Sequence, residues 1–274
     1  VDTTARRASS SSLFERERVP VPVNPPLYLL YLDRYHQGDP LFLKELAQQF
    51  ARAAPAQVPA LLLHTGGEKL ERTLEAEGIF PERREGVVQT ETPRQVALAE
   101  RATREANQEI VALFTDEEVS AVGLQGADRG LLRRTETGAV EAGAFGWVAD
   151  LVKMRVVPVL SALASVRVSQ TPERVEAVPP ARAAVAVAGA LGDFDVTICF
   201  FTKGKRPQNS ASGTEGAPDA LAEVHAEPDV VRWAAEQSGR VLLTDLRGLF
   251  EGEEPQGKWW KNNEEPSAEG KVEG

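Results

Sequence analysis

Six consecutive apolar residues, Leu27-Tyr-Leu-Leu-Tyr-Leu32, leave this chain few ways to fold. A strand with one wet face alternates polar and apolar side chains, and this run does not alternate, so both of its faces need cover. The same holds for Val58 to Leu63 and for Val196-Thr-Ile-Cys-Phe-Phe201. Shorter runs of the same kind are Ser120 to Leu124, Val156 to Leu160 and Val241 to Leu243. Between them lie segments of helical period. Asp39-Pro40 supplies an N-cap and a first-turn proline ahead of Leu43, Leu46, Ala47, Phe50 and Ala54. Leu70 and Leu74 line a helix that Gly78 stops. Thr92-Pro93 opens a long helix with Val96, Ala99, Thr103, Ala106, Ile110 and Leu113 on one face. An Ala/Val helix spans Ala181 to Leu191, and a short one spans Pro228 to Gln237. Apolar strands interleaved with amphipathic helices predict an α/β fold: a three-layer αβα sandwich around a mainly parallel sheet.

The ends differ from the body. Residues 1–26, with Ser9 to Ser12 and Pro20, Pro22, Pro25 and Pro26, read as a flexible arm. Residues 251–274 hold seven Glu and three Lys among Gly, Pro and Asn, and read as an acidic flexible tail. Within it, Trp259 and Trp260 either mark a contact surface or pack back on the body. The single domain is therefore expected over 27–250.

Composition excludes several functions. A net charge of −10 argues against general nucleic-acid binding. One cysteine, Cys199, forms no internal disulfide and no cysteine zinc cluster, and three histidines make a His-rich metal site improbable. Cys199 reads as a core thiol or, less readily, as a nucleophile. The first residues lack a hydrophobic signal core and no apolar run is long enough to span a bilayer, so a cytoplasmic protein without membrane contact is expected. His64-Thr-Gly-Gly67 follows a strand and opens a helix. This junction is either a tight turn or a place where bare N–H groups meet an anion.

Taken in order, these motifs resemble the amino-acid kinase family, and within it the acetylglutamate kinases. His64-Thr-Gly-Gly67 is similar to the family's glycine-rich substrate loop, and Gly86-Val-Val-Gln-Thr90 to its Gly-x-Arg-x-Thr segment. Ala106-Asn-Gln-Glu-Ile-Val111 resembles the Val-Asn-x-x-Ile-Val core of its long helix. Ala121-Val-Gly-Leu-Gln-Gly-Ala-Asp-Arg-Gly-Leu-Leu132 is similar to Ala-Val-Gly-Leu-Ser-Gly-x-Asp-Gly-x-Leu. Phe145-Gly-Trp-Val148 and Val157-Pro-Val-Leu-Ser161 resemble further family strands. The resemblance implies ATP- and Mg²⁺-dependent phosphorylation of the γ-carboxylate of N-acetylglutamate, in arginine biosynthesis, by a homodimer or higher homo-oligomer. It implies substrate contacts from Gly66, Gly67, Thr90 and Asn107. Nucleotide contacts would come from Arg34, Thr202, Lys203, Gly204 and Lys205.

Transfer between two anions depends on cations and N–H donors that neutralise the moving group. The family carries a lysine and two glycines on its first strand, where this chain reads Tyr31-Leu32-Asp33-Arg34. The arginine of Gly-x-Arg is Val88, and the Asn-Ala-Asp-Thr run is Pro179-Pro-Ala-Arg182. No lysine occurs in residues 208–240, where the family has its second phosphate lysine. The stretch from Val148 to Val156 is too short for the family's usual helix, which predicts a trimmed layer. Phe201-Thr-Lys-Gly-Lys-Arg-Pro207 is either a solvated basic loop or a relocated phosphate site. Catalytic residues therefore stay unassigned, and no metal ligands are proposed. Three functions compete: an acetylglutamate-kinase-like enzyme with impaired catalysis, a non-catalytic pseudokinase that senses a ligand or assembles with a partner, and an unrelated doubly wound nucleotide-binding domain. The ligand expected is an acyl amino acid or a nucleotide.

Overall fold

The computed structural model describes residues 24–53, 58–166, 174–204, 221–222, 225, 227–238, 240–252 and 254–260. Its centre is a seven-stranded sheet in the order β13-β12-β11-β1-β2-β8-β5. Here β1 is Pro26–Leu32, β2 Ala60–His64, β5 Ala121–Gln125, β8 Val157–Ser161, β11 Asp195–Phe201, β12 Val241–Thr244 and β13 Lys258–Trp260. Every pairing is parallel except β12 with β13. This is the mainly parallel α/β fold expected.

Side-chain alternation along the apolar strands divides the interior into two cores. Leu27, Leu29, Tyr31, Leu61, Leu63, Ile198 and Phe200 face α5 (Gly146–Lys153), α6 (Pro180–Ala190) and α7 (Pro228–Ser238). Tyr28, Leu30, Leu32, Leu62, Cys199 and Phe201 face α2 (Pro40–Arg52) and α4 (Pro93–Asp116). The layers are thus helix, sheet, helix. The caps read from sequence are present: Asp39 accepts from the N–H groups of Leu41 and Phe42 at the start of α2, and Thr92 and Gln95 form a reciprocal capping box on α4.

The stretch from Val148 to Val156 holds most of a short helix, α5, eight residues long, which begins at Gly146. Two features depart from the expectations. The region expected as a tail contributes β13, which extends the sheet through Leu242 opposite Trp259 and Val241 opposite Trp260. A second, four-stranded sheet, β10-β9-β6-β7, has no counterpart in the sequence reading. Its strands are β6 Leu132–Arg134, β7 Val140–Ala142, β9 Leu163–Val166 and β10 Arg174–Ala177. Only Ala162 separates β8 from β9, so one extended segment leaves the main sheet and enters the second.

Two smaller elements complete the carboxyl edge. Helix α3 (Gly67–Glu75) follows β2. A hairpin of β3 (Arg83–Arg84) and β4 (Val87–Val88) turns through Glu85 and Gly86, both at positive φ, as a two-residue turn requires. Gly86 also leaves room for close packing: a β-carbon there would sit 2.9 Å from Pro180 and 3.0 Å from Val230. Of the arm, only residues 24–26 are described, and Pro26 already belongs to β1. Among the described residues no helix is long and apolar enough to cross a membrane.

Candidate functional site

Parallel strands point their carboxyl ends to one side, and ligands of open α/β sheets bind in the crevice beyond those ends. In this chain that edge carries Asp33 after β1, His64 to Gly67 after β2, Ser161 at the end of β8 and Thr202 after β11. What distinguishes it is how fully its polar groups are used.

Asp33 is completely buried. Its Oδ1 accepts from the N–H groups of Tyr35 (2.9 Å) and His36 (3.0 Å), capping the short helix α1 (Arg34–Gln37). Its Oδ2 lies 2.9 Å from His36 Nδ1 and 3.2 Å from His225 Nε2. The second contact falls outside hydrogen-bond geometry, and Nε2 has no hydrogen-bond partner among the described residues. His225 Nδ1 accepts from the Glu227 N–H, which leaves the ring proton on Nε2, facing Asp33. Burial would raise the carboxyl's pKa, but His225 and His36 outweigh it and hold Asp33 well below the usual carboxylate range. His36 reaches on to the Thr202 carbonyl at 3.3 Å, tying β1 to the end of β11. An anion anchored by two imidazoles therefore stands at the position where the kinase resemblance requires phosphate.

Tyr31 is just as occupied. Its hydroxyl donates to Glu227 Oε2 at 2.6 Å, inside the protein. Burial and the Glu227 charge push the phenol's pKa well up, and burial raises that of Glu227. Arg83, on the hairpin, lies 3.5 Å from Glu227 and 3.0 Å from Glu71 of α3. Arg34 is half-exposed and reaches Glu71 only at 3.8 Å.

The glycine pair is covered as well. Gln37 Nε2 donates to the Thr65 carbonyl at 2.9 Å, and its amide lies where a Gly67 β-carbon would be, 2.8 Å away. Gly67 takes φ +54° and leaves that space to Gln37. A β-carbon on Gly66 would meet Thr103 Oγ1 of α4 at 2.9 Å. Asn107 is buried, donating from Nδ2 to the Val159 carbonyl (2.8 Å) and to His64 Nε2 (2.9 Å). His64 Nδ1 in turn donates to the Thr65 carbonyl at 2.8 Å, so the ring is the neutral tautomer, and burial pushes its pKa down to about 4.

The residues expected to bind ligand therefore do not gather in one place. Gly66 and Gly67 lie behind Gln37, Asn107 is in the core, and Arg34 leans toward α3. Thr202 sits against His36, with exposed Lys203 and Gly204 beyond it. Lys205 lies outside the described residues. Thr90 lines a separate feature: a cleft of about 1190 Å³ between the hairpin, the start of α4 and the second sheet.

The cleft wall includes Arg182, from the first turn of α6. Its guanidinium stacks over Trp233, 5.6 Å from the ring centroid, and donates to Glu85 at 3.0 Å. Its Nε is buried, with no hydrogen-bond partner among the described residues. Arg134 and Arg174, also on the wall, share Glu176 at 2.8 and 2.7 Å. Sequence reasoning missed this group, although Arg182 is the one charge on an otherwise Ala/Val helix. His225 and Glu227 were missed too; a His-x-Glu pair just before a helix was the available signal.

No family model matches the sequence, and no curated protein matches it. The fold does have solved counterparts. An isopentenyl phosphate kinase structure is 14% identical with a TM-score of 0.55, the likeness covering 82% of this chain and 96% of that one. The N-acetylglutamate synthase from Neisseria gonorrhoeae, complexed with coenzyme A and N-acetyl-glutamate, gives 15% and 0.60 over 86% of this chain and 58% of that one. Giardia carbamate kinase gives 11% and 0.52 over 88% and 98%. At such identities the likeness establishes the fold.

Proposed function

We propose that this chain is a pseudokinase of the amino-acid-kinase fold, which holds a small anionic molecule in the Arg182 cleft and transfers phosphate slowly or not at all. One observation carries the reading: the edge between β1 and β11 is filled by Asp33 with His36 and His225, and by Tyr31 with Glu227. Phosphoryl transfer is catalysed by preorganised cations and N–H donors. Here an ionised carboxylate replaces them, and the N–H groups at the start of α1 are already bonded to it. These groups do not suit ATP with Mg²⁺, so no transfer step is derived. The cleft, in contrast, carries the guanidinium of Arg182 on its wall, held by Trp233 and Glu85. An acyl amino acid such as N-acetylglutamate fits that chemistry.

A second reading keeps the acetylglutamate kinase reaction. Lys203, exposed just past β11, has no carboxylate partner among the described residues, and Gly204 at φ +103° bends the loop there. In that reading Arg34, Thr202, Lys203, Gly204 and Lys205 hold ATP and Mg²⁺, while Gly66, Gly67, Thr90 and Asn107 hold the substrate.

Calorimetric titration with N-acetylglutamate and with ATP plus Mg²⁺, beside a hydroxamate assay, separates the two. Binding of the acyl amino acid without turnover supports the pseudokinase. Turnover at roughly 1–100 per second, abolished by Lys203→Ala, establishes the enzyme instead. Self-association as a C₂ dimer, the commonest arrangement of soluble oligomers, is also proposed; a sedimentation mass of 29.7 kDa at every concentration would refute it.

A further inference from the structure

The second sheet carries a cavity that the reading above does not use. Its pairings place Glu141 opposite Arg133, Arg133 beside Ser165, and Ser165 opposite Val175. Residues in one cross-strand row share a face. That face lines a cavity of about 700 Å³, with the turn Asp128-Arg129-Gly130 at its rim.

Two guanidiniums here lack what their neighbours have. Arg104, Arg134 and Arg174 each lie within 3.5 Å of a carboxylate. Arg129 and Arg133 have no ion pair among the described residues, although the chain as a whole is strongly acidic. Two carboxylates also line the cavity. Asp128 is engaged by Arg104 at 3.5 Å, and Glu141 faces Arg133 in register without an ion pair. Taken with the Arg134–Glu176 pair, this leaves two unpaired cations against one unpaired anion.

The backbone is arranged to present these cations. Arg129 takes φ +54°, a region that favours glycine and that a long side chain enters at a cost. Where the resembling motif has glycine, this chain has Arg129. Its guanidinium makes a cation–π contact with Trp147, 5.8 Å from the ring centroid. Gly130 follows at φ +64°, and a β-carbon there would lie 2.7 Å from Arg133 Nε. The missing side chain is thus the slot in which Arg133 rests. The Ser165 hydroxyl, on the same face, has no hydrogen-bond partner among the described residues.

We propose that this cavity is a phosphate site, separate from the Arg182 cleft, in which Arg129 and Arg133 bind the anion and Ser165 donates to it. Net of Glu141 the unpaired groups carry one positive charge, which favours an anion, and the planar forks of the two guanidiniums suit phosphate oxygens. The ligand class is inorganic phosphate or a small phosphomonoester.

The test is calorimetry and thermal unfolding of the full chain in sodium phosphate, against sodium chloride of equal ionic strength. Phosphate is expected to bind one to one and to raise Tm. Arg133→Ala should weaken binding at least tenfold. Arg129→Gly provides the sharper readout: it should raise the phosphate-free Tm, because glycine suits φ +54°, and still weaken binding tenfold or more. Glycerol 3-phosphate binding more tightly than phosphate would assign a phosphomonoester, and equal binding would assign the free ion. The proposal is overturned if phosphate fails to bind, if both variants bind it as the parent does, or if malonate binds equally well. Loss of phosphate binding in Arg182→Ala with Arg129→Gly unaffected would place the anion in the main cleft and also overturn it.

Discussion

Acidification should destabilise this protein through His64, and the size of the effect follows from the structure. The ring is completely buried, with Nδ1–H donating to the Thr65 carbonyl and Nε2 accepting from Asn107. A second proton would go on Nε2, directly against the Asn107 amide N–H. Asn107 cannot simply turn over, because the same nitrogen donates to Val159 at 2.8 Å. The native pKa of about 4 lies below the ordinary 6.5, so the unfolded chain binds the proton first as pH falls. His64 therefore contributes stability that is complete above pH 6.5 and is lost progressively toward pH 4. Each tenfold change in proton affinity is worth about 1.4 kcal/mol, so the full loss is about 3 kcal/mol, of which about 2 kcal/mol is gone by pH 5. Urea unfolding at pH 7 and pH 5 measures this for the parent and for His64→Gln, whose amide supplies a donor and an acceptor but does not titrate. The variant should be weaker at pH 7 by about 1–3 kcal/mol from imperfect hydrogen bonding, yet lose about 2 kcal/mol less than the parent between the two pH values. An equal loss in both proteins would refute the assignment of the acid sensitivity to this ring.

Three further outcomes are expected. Tyr31→Phe removes the donor to Glu227 and leaves a buried carboxyl short of a partner, so urea unfolding should show a loss of about 1–3 kcal/mol. Gly67→Ala should cost more than Gly78→Ala, because both sit at positive φ but only Gly67 has Gln37 in the way, while Gly78 has nothing within 4 Å; the common strain is about 1–2 kcal/mol, and equal losses would show that Gln37 moves freely. Cys199 is buried and its thiol is pushed up in pKa by burial, so a thiol reagent should label the native protein far more slowly than the urea-unfolded one; equal rates would argue for an accessible thiol.

The main sheet was legible because burial on both faces writes a continuous apolar run. Leu27–Leu32 and Val196 to Phe201 announce strands with no need of context, and Thr92-Pro93 announces a helix start. The second sheet left no such mark. Its strands are three or four residues long, and β6 reads Leu-Arg-Arg, because one of its faces is a polar cavity wall. Trp259 and Trp260 lie in so acidic a stretch that composition outweighed their pairing with β12. At the carboxyl edge the sequence showed what was missing, the lysine replaced by Tyr31 and the glycines replaced at Asp33 and Arg34. It did not show what took their place, since Asp33, His36 and His225 meet only once β1 and the segment before α7 are folded together. Arg182 was visible as a substitution, but its stacking on Trp233 joins two helices far apart in the chain.

The place of β1 in the sheet also sets when this protein can fold. The strand is made before the rest of this sheet and pairs on one side with β2, but on the other with Asp195–Phe201. Until that partner has been synthesised, Leu29 and Tyr31 lie along an open edge with unpaired backbone groups beside them. Closing so long a loop is slow, and exposed apolar edges are where nascent chains associate wrongly. A chain halted before residue 195 would be expected to need a chaperone, whereas one extended past Thr244 carries every parallel strand of its main sheet.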